Sequence, residues 1–376
     1  MNDICIFVII FTRKKVGKMK NIQKILVIRF RQIGDSILAA ALCTALKRSF
    51  PKAEIHLVLN SGIAPIFEGH PDIDKVITFA KDENKPFANY LKKVWKVMHE
   101  HKYDVIIDMR STIRTLLFSL FSLHTPFRIG RPKSYTHFLL NKRVDVYEDS
   151  SLDMVQCNHK YLLPLQDVAP MGGVEEFRLY LKDSEKKDFR AYMESQGIDF
   201  SRPVMLVGVT TKLLHKKWNE ASMKSVLQSV LNRYKDWQLI FNYAPGVEEE
   251  DARRMYRELG SPEAIKIDIQ AKSLRELMAL CANCSFYFGN EGGSRHMIQA
   301  LGIPSLAIFS PNAHKSMWLP KNSVPAEGIC PEDMVSCGQM SDLSYEEKFN
   351  LITPETVCGK LFPLMDKCYS SDNSSL

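Results

Sequence analysis

From Lys24 onward, short apolar runs alternate with longer amphipathic ones, and this alternation is the strongest constraint on what the chain can fold into. Lys24–Phe30 (KILVIRF) reads as a buried strand, and Asp35–Phe50, closed by Pro51, reads as the helix that follows it. Glu54–Asn60, Lys75–Phe79 and Asp104–Met109 are three further strands. Between the last two, Lys85–His101 has helical spacing with Lys92, Lys93 and Lys96 on its outer face. Strands separated by helices form βαβ units, and βαβ units form parallel sheets.

The alternation weakens from Arg131 to Lys182 and then restarts. Pro203–Thr210, Trp237–Tyr243, Ile265–Ile267 and Ser285–Phe288 are expected strands, with Pro304–Ser310 as the last of the series. A helix follows Tyr243 with Glu248–Asp251 in its first turn, where the helix dipole favours acids, and another covers Leu274–Cys281. The expected architecture is therefore α/β, two successive open units with a boundary within 175–185 and a cleft between them. We divide the chain as 19–180 and 181–353, with 354–376 as a closing segment ending in the polar tail SSDNSSL.

Residues 1–18 stand apart. Cys5–Phe11 is apolar but far short of the ~20 residues that span a bilayer, and Arg13, Lys14, Lys15 and Lys18 follow it rather than precede it, the wrong order for a secretory signal. Met19 opens MKNIQKILVIRF, which reads like a natural start, so 1–18 is expected to be an extension outside the fold, with a weak membrane tether as the alternative.

Composition narrows the classes. With 45% hydrophobic and 25% charged residues in 376, a disordered chain, a collagen-like repeat and a multi-span membrane protein are excluded. The net charge of +7 is mild, and no recognised module or aromatic–basic interleaving supports a nucleic-acid partner. Nine scattered cysteines read as reduced thiols, and the spacing of Cys281, Cys284, Cys330 and Cys337 is wrong for a common zinc knuckle.

Open parallel sheets bind ligands beyond the carboxyl ends of their strands, and four such loops carry polar residues. Arg31–Asp35 places Gly34 and Asp35 at the start of a helix, where Asp35 is either a cap or a base. Thr210, Thr211, Lys212, His215, Lys216, Lys217 and Trp218 form either a solvated basic loop or a phosphate site. After Asn242–Gly246, the acids Glu248 and Glu249 either serve their own helix or accept sugar hydroxyls. Gly289–His296 (GNEGGSRH) offers paired glycines at a helix N-terminus, suited to an anion, yet it is neither a Walker loop nor G-x-G-x-x-G. His296 there is either structural or functional. None of these loops carries Asp-x-Asp.

Taken in order, ILVIRFRQIGDSILAAALCTALKRSFPKAEI, IFEGHP, TT…KKW and GNEGGSRHMIQALGIPSLAIFSP resemble glycosyltransferase family 9, the lipopolysaccharide heptosyltransferases, from about Lys24 to Trp318. The resemblance implies a GT-B architecture: two facing Rossmann-like domains, acceptor on the first, nucleotide-sugar donor on the second, with Pro354–Lys367 crossing back to the first. It implies that Asp35 is the general base and that Lys216 offsets charge on the leaving diphosphate. It implies Thr210, Thr211, Glu248, Glu249, Glu291, Gly292, Gly293 and His296 as donor contacts, with Glu291 where aspartate is usual. Gly34, Arg110, Arg114 and Arg128 are the implied acceptor contacts; Arg114 falls in the pattern D-x-x-G-x-x-[KR] starting at Asp108. The reaction implied is inverting, needs neither metal nor cofactor, and uses a nucleotide diphosphate heptose, ADP-heptose by family default. The acceptor is a lipopolysaccharide core, met at the cytoplasmic face of the membrane. A nucleotide-sugar epimerase of the same architecture would also need a diphosphate site, but not the basic N-terminal face. A degenerate binding protein would not need Asp35, Lys216 and His296.

Overall fold

The computed structural model describes residues 21–82, 85–335 and 337–372. The extension expected at 1–18 and the end of the polar tail lie outside them. The first half builds a six-stranded sheet from β1 (Lys24–Ile28), β2 (Glu54–Asn60), β3 (Lys75–Phe79), β4 (Val105–Asp108), β5 (Phe127–Gly130) and β6 (Lys142–Arg143). Their spatial order is β3-β2-β1-β4-β5-β6, and every pair is parallel. The second half repeats the design with β7 (Val204–Gly208), β8 (Gln238–Phe241), β9 (Ile265–Lys266), β10 (Phe286–Asn290), β11 (Ser305–Ile308) and β12 (Ala326–Ile329), ordered β12-β11-β10-β7-β8-β9 and again parallel. Strands β4, β7, β8, β10 and β11 are buried along their whole length, so their apolar residues run together as strands covered on both faces require, with buried Asp108, Gln238, Asn290 and Ser305 at strand ends.

Two parallel six-stranded sheets agree with the α/β class expected from the sequence. Three strands were not expected. β5 and β6 are short and carry Arg128, Lys142 and Arg143, and β12 carries the exposed Glu327 at the sheet edge. Pro304–Ser310 is therefore not the last strand. A helix over Ile113–Leu120 also went unread, because the turn before it breaks the apolar pattern.

The two halves meet through helices. The helix Ile33–Ser49 packs on Gly293–Ala300 of the second half, and its run Ala39–Ala41 is buried and small enough for close approach. The connection around 174–182 is extended, and Leu179 N–H donates to Ala300 O at 3.1 Å. Arg275 secures the join. Its Nη1 donates to the carbonyls of Glu68 (3.2 Å) and Tyr180 (3.1 Å), while the rest of its guanidinium pairs with Glu185.

The closing helix, Pro354–Asp372, does not cross back among the described residues. Val357, Leu361, Leu364 and Met365 recur at helical spacing, and this stripe joins the core of the second half with Val226 and Val230 of the helix Glu220–Arg233. Tyr234 Oη donates to Asp366 at 2.8 Å and to Phe362 O at 3.2 Å, which holds the helix there.

Candidate active site

Each sheet has one point where the strand order reverses, between β1 and β4 in the first and between β7 and β10 in the second. The loops leaving those strands diverge and open a crevice at their carboxyl ends. Asp35 follows β1, Arg110 follows β4, Thr210 and Lys216 follow β7, and Glu291 to His296 follow β10. The residues singled out in the sequence thus flank both switch points.

Asp35 lies in the first turn of its helix but caps nothing: the helix has no side-chain cap, and the carboxylate turns to arginines instead. Arg29 Nη2 donates to Asp35 Oδ1 at 2.8 Å, and Arg31 Nε donates to the same oxygen at 3.3 Å. Arg29 is buried, and its Nε has no partner. Breaking such a pair by removing one partner typically costs about 3–5 kcal/mol. Arg110 completes the cluster; burial, and then the charges of Arg31 and Arg29, hold its pKa below the usual value. Three guanidinium groups therefore surround one carboxylate, leaving an excess of positive charge. Arg29 was missed in the sequence, although an arginine inside the run KILVIRF is the signal that finds it.

The loop after β4 is shaped by Asp108, whose Oδ1 accepts N–H bonds from Arg110 (3.0 Å) and Ser111 (2.7 Å). Ser111 takes a left-handed conformation, φ 48°, at the position where the D-x-x-G-x-x-[KR] pattern has glycine. Its hydroxyl and carbonyl tie down Arg131 and Tyr135, which explains why serine is tolerated there.

In the second half, Gly289 (φ 150°) lets β10 approach β7 so closely that a Cβ would lie 2.5 Å from Gly208 O. Asn290 then orders two loops. Its Nδ2 donates to Gly208 O (3.0 Å) and Val209 O (3.2 Å), and its Oδ1 accepts from Trp218 N–H at 2.8 Å. Trp218 is fully buried, and its indole N–H reaches Ile352 O at 3.2 Å. That anchor fixes Lys216, two residues earlier, where its Nζ pairs with Glu291. Beside it, Thr210 Oγ1 donates to Glu248 at 2.8 Å, and Asn242 Nδ2 reaches Ser294 Oγ at 3.0 Å.

His296 joins the halves. Its ring lies against Gly34, where an added Cβ would stand 2.5 Å from Cδ2. Arg295 Nη2 approaches both ring nitrogens, at 2.6 Å from Nδ1 and 2.8 Å from Nε2. Burial first, then the charges of Arg295 and Lys216, press the His296 pKa well below its ordinary value, so the ring is neutral. Burial also lowers Arg295, to about 10. Gly293 sits against Ile33. The N-termini of two helices, one from each half, therefore face one another across His296.

The structure brings Gly34, Asp35, Arg110, Lys216, Glu291, Gly292, Gly293 and His296 to this junction, with Thr210, Thr211 and Glu248 on the loops beside it. Glu249 is turned to Arg253 of its own helix at 2.9 Å. Arg114 is exposed and stacks over Phe87 and Tyr90. Arg128 lies elsewhere. It sits at the amino-terminal end of β5 and spends its guanidinium on the carbonyls of Leu123, Thr125 and Leu139. Among the described residues, no group of three or more His, Cys, Asp or Glu side chains is placed to hold a metal ion, and no helix is long and apolar enough to cross a membrane.

Two facing parallel sheets with polar loops at their switch points define a GT-B-type α/β protein, and comparison with known proteins narrows the class. Residues 91–329 match the model of glycosyltransferase family 9 (heptosyltransferase), and the chain belongs to that family. It is 21% identical to lipopolysaccharide heptosyltransferase 1 of Campylobacter coli over 76% of this chain and 83% of the relative. It is 19% identical to lipopolysaccharide heptosyltransferase 3 of Escherichia coli over the same shares. Among solved structures, a glycosyltransferase family 9 protein of Veillonella parvula superposes with a TM-score of 0.77 at 17% identity, covering 92% of this chain and 98% of that one. The E. coli ADP-heptose lipopolysaccharide heptosyltransferase II gives 0.71 at 18%, covering 92% and 99%.

Proposed function

We propose that this protein is an inverting glycosyltransferase that moves heptose, or a related sugar, from a nucleotide diphosphate sugar to a lipopolysaccharide core or lipid A-linked acceptor. ADP-heptose is the expected donor, in keeping with the names of the relatives, and the cytoplasmic face of the membrane is the expected place of work. The observation that carries the reading is the meeting of the Asp35 helix and the Gly292–Gly293 helix at the paired switch points. Asp35 takes the proton of the acceptor hydroxyl as its oxygen attacks the anomeric carbon. The bond to the diphosphate breaks on the opposite face, which inverts the configuration. The charge that develops on the leaving diphosphate is met by Lys216 and by the free N–H groups of the Gly292–Gly293 helix terminus, without a metal or other cofactor. Thr210, Thr211, Glu248 and Glu291 line the donor side.

The arginine cluster supports transfer over epimerisation. Arg31 and Arg110 offer positive charge beside the base, which suits an anionic acceptor, and an epimerase needs no acceptor. Arg114 can extend that surface, whereas Arg128 drops out of it. A calorimetric screen of ADP-, GDP- and UDP-sugars, followed by a transfer assay, tests the proposal. Asp35→Ala should retain donor binding and lose transfer, since a positioned base contributes about 10²–10⁴-fold. Undiminished turnover would rule out the base.

A further inference from the structure

Residues 109–144 contain seven Arg and Lys and no Asp or Glu. Their apolar side chains do not all turn inward. Ile113 is 74% exposed and Phe138 78%, and Leu120, Leu123 and Tyr135 are also exposed. Ile113 and Leu120 lie seven residues apart on one face of the helix Ile113–Leu120, and Leu123 continues the line. Tyr135 and Phe138 belong to the segment between β5 and β6, which is tied to that helix at both ends. Tyr135 Oη donates to Ser111 O at 3.1 Å just before the helix starts. Past its end, Arg128 holds Leu123 O (2.6 Å) and Leu139 O (2.8 Å) together. The two segments therefore form one face that carries large apolar groups among cations: Arg114 flanks Ile113, Lys133 lies over the Tyr135 ring, and Lys142 and Arg143 are exposed.

We infer that this face docks the protein on a membrane surface rich in anionic lipid. Exposed apolar side chains ringed by polar groups mark an interaction site. The complete lack of acid over this stretch selects a negatively charged partner. Apolar groups shallow enough to enter the headgroup boundary, with cations beside them, are what an anionic bilayer binds. The same stretch begins at Arg110 in the candidate site, so a protein seated on this face holds its acceptor side toward the lipid. The surface stands on its own charges and exposure; only its use in presenting a lipid-linked acceptor rests on the proposed reaction.

The test is sedimentation of the full chain with vesicles of phosphatidylcholine, with and without phosphatidylglycerol. Binding should be roughly tenfold or more stronger to the anionic vesicles, and should fall when salt is raised from about 0.1 M to about 0.5 M. The double variant Ile113→Ser/Phe138→Ser should lose roughly tenfold in vesicle binding, with an unchanged melting temperature and undiminished transfer to a delipidated acceptor. Equal binding to both vesicle types, no binding to either, or full binding by the double variant would overturn the inference. A chain that binds vesicles but transfers no sugar would overturn the proposed reaction and leave this surface standing.

Discussion

The most exacting test of the site is one methyl group. Gly34→Ala places a Cβ 2.5, 3.0 and 3.2 Å from Cδ2, Nε2 and Cγ of His296. Carbon atoms in contact rest about 3.5–4.0 Å apart, so ring and methyl must separate by about 1 Å. The ring has no room to yield, because it is buried and backed by Arg295. That arginine is itself held by Trp318 O at 2.5 Å and Gln299 Oε1 at 2.6 Å. Overpacking of this kind costs about 1–3 kcal/mol. Alanine's better helix propensity returns up to about 1 kcal/mol, so the variant should lose between about 0 and about 3 kcal/mol of stability. The larger effect should fall on the reaction. Moving the two helix N-termini apart by about 1 Å displaces the Asp35 side from the donor side, and misplacement on that scale costs about 10²-fold in rate. The assay is denaturant unfolding and turnover for Gly34→Ala, His296→Ala and the double variant. Removing the ring should relieve the clash, giving a coupling in stability of about 1 kcal/mol or more. If Gly34→Ala matches the parent in both measurements, or destabilises equally whether or not His296 is present, the reasoning is refuted.

Lys216→Ala should weaken nucleotide diphosphate binding by about 1.5–3 kcal/mol, the worth of a hydrogen bond to a charged group, and slow transfer; unchanged affinity by calorimetry would remove Lys216 from the site. A chelator should leave turnover intact, and a loss restored by Mg²⁺ would sink the metal-free mechanism. Burial raises the Asp108 carboxyl to about 6 despite its bonds from Arg110 and Ser111, so the folded chain keeps a proton that the unfolded chain has lost. Stability should therefore fall as pH rises from about 4 to about 6, and Asp108→Asn should remove about 3 kcal/mol of that slope. Parallel stability curves for the parent and Asp108→Asn across this range would refute the assignment.

The central strands were legible because burial on both faces demands apolar runs, and Val204–Gly208 or the Phe286–Phe288 part of β10 satisfies that demand in the sequence itself. β5, β6 and β12 are short, so a few charged residues erase their signal. The closing helix misled for a different reason. Its stripe Val357–Leu361–Leu364–Met365 shows that it must be covered, but spacing alone does not say by which half. Tyr234 and the helix Glu220–Arg233 decide that only once the chain is folded.

The candidate site divides along the same line. Which residues would gather could be read from position, because Gly34, Asp35, Lys216 and the GNEGGSRH loop all follow strands that turn out to flank the switch points. How their charges are balanced could not. Lys216 meets Glu291, 75 residues away; Thr210 meets Glu248; and the ring of His296 fills the space left by Gly34 in the other half. Each pair joins loops that are distant in the chain. A partly buried charge without its partner is costly, so the cation and its acid, or the glycine and its ring, belong to one unit that no single stretch of sequence displays. Asp35 shows the consequence most plainly. Taken with its neighbours in the chain it is a helix cap; in the folded chain it caps nothing, and its carboxylate is bonded by Arg29 and Arg31 with the Arg110 charge beside them, a setting that only the meeting of two strand-end loops creates.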